Sequence, residues 1–251
     1  MSTADERATA RPPHASDHSA AGLPHLAGDD GVLLRATDLR LAYGAREILH
    51  GATLEVRRGE FWFLLGGNGS GKTTFLRALL GIVKPRAGRL WLSPELRGRE
   101  GIGFVPQHSE INASLPTTIR EFVSLGLVGL RVPRSERGAR VTRAIERVGL
   151  GALAGRDYWA LSGGQRQRAL VARGLVREPL LLILDEPMNH LDPDAEESLL
   201  GDLVALNRRD GLALLLVTHD VAMAERHATH VATFSRGNVT TRAVDPAGGA
   251  A

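Results

Sequence analysis

The sequence predicts an α/β fold with a mainly parallel, buried sheet, and three observations carry that expectation. Short apolar runs alternate with helical patterns, a glycine-rich loop follows one of those runs, and two adjacent carboxylates end another. Parallel strands covered on both faces read as continuous apolar runs rather than as alternations. Strands are predicted over 33–42, 48–56, 60–65, 89–92, 102–106, 180–185, 213–218 and 230–235. Helices are predicted over 71–81, 118–127, 135–148, 163–177, 193–207 and 221–227. Asp192 before Pro193, with Glu196 and Glu197 in the first turn, marks a helix start, because carboxylates favour the positive end of the helix dipole. The stretch from about 107 to 176 holds helices and no convincing strand, so it reads as a helical insertion between two sheet-forming stretches.

The chain has 251 residues, 43% hydrophobic and 24% charged, which suits a globular protein with a sizeable core and excludes disorder throughout. It has no cysteine, which excludes a disulfide scaffold, a thiolate metal site and a cysteine nucleophile. The longest apolar runs, 180–184 and 212–217, are strand-sized and far short of the roughly 18 residues of a membrane span. Lys72 and Lys84 are the only lysines, so 29 of the 31 basic residues are arginines, dispersed and interleaved with acids. Without a basic stripe and its aromatics, no nucleic-acid partner is expected. Residues 1–31 are rich in Ala, Pro, Ser, His and Asp and read as a disordered tail; 245–251 read likewise. Three irregularly spaced histidines in the first tail, His14, His18 and His25, could hold a metal ion loosely, but such residues in a polar tail are more often inert.

Gly66-Gly67-Asn68-Gly69-Ser70-Gly71-Lys72-Thr73 has the spacing of a phosphate-binding loop, and it follows the apolar run 61–65, which is the context that supports it. Its glycines let the backbone turn successive N–H groups towards phosphate oxygens, and the helix that follows, with Thr74 in its first turn, adds its positive N-terminus. Lys72 is expected to reach the β- and γ-phosphates, and Thr73 to offer its hydroxyl to Mg2+. The run 180–184 ends in Asp185-Glu186. Ligands sit at the carboxyl ends of parallel strands, which places this pair beside the loop: Asp185 for Mg2+, Glu186 to polarise the attacking water. Alone, an acidic pair after a strand is equally a turn or a helix cap.

Leu161-Ser162-Gly163-Gly164-Gln165, with Ser162 lying 23 residues before Asp185, completes a set that resembles the ATP-binding cassette (ABC) family over about 33–242. The resemblance implies a P-loop NTPase fold with a mainly parallel core sheet, an antiparallel β subdomain and a helical insertion, the cassette spanning 32–244. It also implies roles. Tyr43 resembles the aromatic that stacks on adenine, Gln107 the glutamine that meets Mg2+ and the reacting water, and His219 the histidine on the γ-phosphate. Taken singly, Tyr43 is equally a core aromatic, Gln107 a surface amide, and His219 a satisfied strand-end histidine. The family binds two ATP molecules in a head-to-tail dimer, in which Ser162, Gly163, Gly164 and Gln165 would face the γ-phosphate bound by the other copy. Two departures stand out: Gly67 occupies a position where proline is frequent, and Asn189-His190 precede Leu191-Asp192 where many transport cassettes have Ser-Ala.

A lone phosphate loop, a lone signature and a short helical insertion suit an importer ATPase, peripheral on the cytoplasmic face of the membrane and acting through a separate integral membrane permease. A solute-binding protein would be an indirect partner. The stretch 115–123 resembles that of zinc- and manganese-type metal importers and, less closely, of iron-siderophore, haem and cobalamin importers. A soluble, non-transport ABC ATPase is the alternative from another class.

Overall fold

The structure, a computed structural model, describes residues 31–97, 100–107 and 117–245. The expected tails and the stretch 115–116 therefore lie outside the described residues, except for Gly31 and Asp245. The chain runs β1 (Val32–Tyr43), β2 (Arg46–Arg57), β3 (Phe61–Leu65), α1 (Lys72–Leu79), β4 (Ala87–Leu92), α2 (Pro94–Arg97) and β5 (Ile102–Val105). It continues through α3 (Ile119–Ser124), α4 (Arg134–Arg147), α5 (Gly163–Leu175), β6 (Leu181–Asp185), α6 (Pro193–Asp210), β7 (Ala213–Thr218), α7 (Val221–His227), β8 (His230–Ser235) and β9 (Asn238–Ala243).

Two sheets form: an antiparallel one in the order β2-β1-β4, and a six-stranded one in the order β5-β6-β7-β3-β8-β9. In the larger sheet β5, β6, β7, β3 and β8 are parallel, and β9 closes the edge antiparallel to β8. Side chains alternate across a strand, so the apolar runs feed two cores at once. Phe61, Phe63, Leu182, Leu184, Leu214 and Leu216 pack on one face with the helices of the insertion and α6. Trp62, Leu64, Leu181, Ile183, Leu215 and Val217 pack on the other with α1 and the antiparallel sheet. Burial on both faces is why these strands carry no polar alternation.

Helix ends follow their cap residues. Thr118 with Glu121, and Ser162 with Gln165, form capping boxes at the starts of α3 and α5. Asp192 and Asp220 accept from Ala195 N and Met223 N at the starts of α6 and α7. The helical stretch is tied to the sheet by arginines of α4. Arg140 sits 3.3 Å from Glu178 and 3.6 Å from Glu100, Arg143 is 2.6 Å from Glu178, and Arg147 is 2.5 Å from Asp210.

The strand β9 was not expected from the sequence. Its pattern is almost wholly exposed and lacks an apolar face. The signal lay in the turn: Arg236 and Gly237 both have positive φ (48° and 81°) between the paired Ser235 and Asn238, a two-residue hairpin followed by β-branched Val239, Thr240 and Thr241. The predicted helix 118–127 stops at Ser124 and tightens into a 3-10 turn over Leu125–Leu127, while the predicted 193–207 runs on to Asp210, where Gly211 caps it at φ 63°.

Phe63, fully buried on β3 and 4.7 Å from the Phe61 ring, sits between β7 and β8 in the middle of the larger sheet. Replacing it by alanine is expected to lower the unfolding free energy by about 3–5 kcal/mol, read from urea denaturation of the full-length chain.

Candidate functional site

Parallel register gathers the site. Leu65 pairs with Thr218 and Asp185 with Val217, so β3, β6 and β7 all end at one edge of the sheet. The segments leaving those ends, 66–71, 186–189 and 219, meet there with Gln107, which follows β5. A cleft of about 860 Å3 is lined by Gly67, Asn68, Gly69, Ser70, Gly71, Lys72, Thr73, Thr74, Gln107, Glu186 and His219, all expected from the sequence. Arg46, Ile48 and Asn189 line it as well. The first two come from β2, far from the loop in sequence, and no local motif announces them. Asn189 lies three residues after Glu186, and its place beside a carboxylate is set by the turn between them.

The loop's shape depends on its glycines. Gly66 has φ 148°, and a Cβ there would sit 2.4 Å from the Phe234 carbonyl oxygen of β8 and 2.8 Å from Ser70 Oγ. Gly71 has φ 108°, and its Cβ would meet Leu49 at 2.6 Å. The Lys72 ammonium donates to the carbonyls of Gly66 and Gly67 at 2.5 and 3.1 Å, so the cation is held at the loop by the loop itself. Burial lowers the Lys72 pKa, opposed by Glu186 and Asp185. Ser70 Oγ is buried with no hydrogen-bond partner. A buried hydroxyl in a glycine cradle beside a buried ammonium is a donor set that suits a phosphate.

Burial, and then Glu186, raise the Asp185 carboxyl above its ordinary range, against the opposing pull of Lys72 and Arg77. Hard oxygen donors of Thr73, Gln107 and Asp185 fit Mg2+, and the divalent ion would relieve this crowding of negative charge. Glu186 stands in the left-handed region at φ 49°, its N–H donating to Val217 O at 3.1 Å. Its Oε2 accepts from Gln107 Nε2 at 2.9 Å and from Asn189 Nδ2.

Gly66, which follows β3, and Asp185, which ends β6, are expected at the site and are not among the residues that line this cleft, and two further groups stand apart from it. Tyr43 ends β1, about half exposed, with its hydroxyl accepting from Arg77 Nη1 at 3.2 Å. Ser162, Gly163, Gly164 and Gln165 open α5 elsewhere, against the start of α6: a Cβ on Gly164 would sit 3.0 Å from that of Ala195.

A strand-borne phosphate loop, an acidic strand end and a helical stretch opened by the Ser162 capping box define an ATP-hydrolysing cassette. The family model described as ABC transporter matches residues 49–189. The chain belongs to that family and is an ATP-binding ABC ATPase. It is 40% identical over 205 residues to the zinc import ATP-binding protein ZnuC of Cereibacter sphaeroides, covering 82% of this chain and 80% of that protein. It is 38% identical over 229 residues to the methionine import ATP-binding protein MetN of Thermobifida fusca, covering 85% and 71%. Among solved structures it resembles an ATP-binding cassette in a dimeric post-hydrolysis state bound to ADP and Pi, with TM-score 0.72 and 27% identity over 85% of this chain and 99% of that one.

Gly66→Ala is expected to weaken ATP binding at least about tenfold, because the facing Phe234 carbonyl is backbone and the φ disfavours a side chain; equilibrium titration with a fluorescent ATP analogue reads it. A raised carboxyl pKa means that the folded chain holds the Asp185 proton more tightly than the unfolded chain, so ionisation at neutral pH costs stability. Asp185→Asn is therefore expected to raise the Tm of the nucleotide-free chain at pH 7 and to narrow that gain as the pH falls towards the ordinary carboxylate range. Thermal melts across pH check both signs.

Proposed function

We propose that this chain is the ATP-hydrolysing subunit of an importer that carries a metal ion, zinc foremost, through a separate membrane permease. The observation that carries it is the 40% identity to a zinc import ATP-binding protein over most of both chains. The longer match to a methionine import protein supports amino-acid import as the second reading. Either cargo leaves the chemistry unchanged, because the cleft is lined by the loop 67–71 and the residues that meet it. No helix among the described residues is long and apolar enough to cross a membrane, which fits a peripheral subunit on the cytoplasmic face with the path supplied by the permease. A solute-binding protein delivering the ion to the permease is the expected indirect partner.

Catalysis in this reading is positioning with charge stabilisation. Amides of 67–71 and the Lys72 ammonium bind the β- and γ-phosphates, and Tyr43 meets the adenine. Thr73, Gln107 and Asp185 would hold Mg2+, which would supply positive charge to offset that of the phosphates. Glu186 accepts a proton from the attacking water, and His219 steadies the γ-phosphate. Tyr43 lies outside the cleft lining, so adenine would extend from the loop towards the end of β1. Ser162, Gly163, Gly164 and Gln165 would meet the γ-phosphate of a second copy in a head-to-tail dimer, for which the dimeric cassette of similar fold is the model. The capping box leaves the first turn of α5 presenting its positive end at that surface.

Glu186→Gln is expected to retain ATP binding, to lose at least about a hundredfold in turnover and to dimerise on adding ATP. Steady-state ATPase assays and sedimentation check these three outcomes. Purified with ATP from membranes of its own host, the same variant is expected to bring a multi-span permease with it. Recovery of soluble proteins alone would favour a non-transport ATPase and leave the hydrolytic chemistry standing.

A further inference from the structure

Glu186 is expected to take the proton from water, which requires its carboxylate to be aimed. Its backbone sits at φ 49°, a region that disfavours side chains, so the residue is held there by its neighbours. The Glu186 N–H is anchored on Val217 O of β7, and the Asn189 N–H returns to Glu186 O at 3.3 Å, closing a tight turn. That turn carries the Asn189 side chain back over the Glu186 carboxylate. A carboxylate only accepts, so the amide must present its Nδ2. Both amide donors, Gln107 Nε2 and Asn189 Nδ2, take the same oxygen, Oε2, and among the described residues none takes Oε1.

We propose that Asn189 is a positioning residue of the hydrolytic site: its side-chain amide pins Glu186 Oε2 and turns Oε1 towards the cleft, where the attacking water would stand. The two donors are not equivalent. Gln107 follows the edge strand β5 and is claimed by Mg2+ in the proposed mechanism. Asn189 belongs to the same turn as Glu186, so it stays with the base whatever Gln107 does. It is half-buried and lines the cleft beside Glu186. Asp185 beside it and Lys72 from α1 interact electrostatically with this carboxylate, and Arg46 from β2 and His219 after β7 line the same cleft.

The inference rests on Glu186 being the base, so Glu186→Gln is measured alongside, each variant as the full-length chain hydrolysing ATP with Mg2+. Asn189→Ala is expected to lower kcat about tenfold with the KM for ATP unchanged, since the lost bond is to a charged acceptor and not to nucleotide. Asn189→Asp keeps the shape but replaces a donor with a second negative acceptor. Its kcat is expected to fall at least as far as that of Asn189→Ala, again with the KM for ATP unchanged. A purely structural role for Asn189 would move the Tm and leave the isosteric Asn189→Asp near the wild-type kcat. Wild-type kcat in Asn189→Ala or in Asn189→Asp, with Glu186→Gln inactive, overturns the positioning role alone. An active Glu186→Gln overturns the base assignment and this inference with it.

Discussion

The register of β3 against β7, and of β7 against β6, is the constraint on which the rest of the molecule depends. With Leu65 opposite Thr218 and Asp185 opposite Val217, three strands end together, and the phosphate loop, the acidic pair and His219 leave from one edge. A slip of one residue would turn every side chain of a strand to the opposite face. Because each of these strands feeds a different core from each face, such a slip would bury Trp62 and Leu64 where Phe61 and Phe63 belong. The two apolar cores therefore fix the register, and the register fixes the site.

Electrostatics at that edge work against stability and towards ligand binding. Asp185 is half-buried beside a second carboxylate, Lys72 is desolvated and folded back on its own loop, and Ser70 Oγ has no partner. Each is an unfavourable state that a triphosphate with a divalent ion would relieve: anions for the ammonium and hydroxyl, a cation for the carboxylates. The helical stretch contributes a separate surface. Its arginines on α4 reach Glu100, Glu178 and Asp210, so the helix that carries Ser162 at its start packs beside a layer clamped to the sheet.

Much of this was legible in the sequence because the informative signals are local. The loop 66–73 and the run 180–186 each state their chemistry within eight residues, and buried parallel strands announce themselves as unbroken apolar runs. The residues that escaped were defined by non-local geometry. Arg46 and Ile48 reach the cleft only because β2 folds back over the loop, where Leu49 closes on Gly71. Asn189 was visible as a departure from a familiar pattern, but its bond to Glu186 exists only once the turn is made. The exposed strand β9 lacked the apolar face by which strands are recognised and was encoded instead in the backbone of Arg236-Gly237.

An ABC ATPase with this cleft converts ATP hydrolysis into movement of a partner, and the cargo is a property of that partner. The proposed function couples one carboxylate of this chain, Glu186, to the passage of a metal ion. Uptake of radioactive zinc by host cells that lack the chain, and carry it back as wild type or as Glu186→Gln, measures that coupling most directly. Uptake is expected to be restored by the wild type and not by the variant, with methionine uptake the same in all strains. Zinc uptake that is indifferent to the chain, or restored equally by the variant, would contradict it.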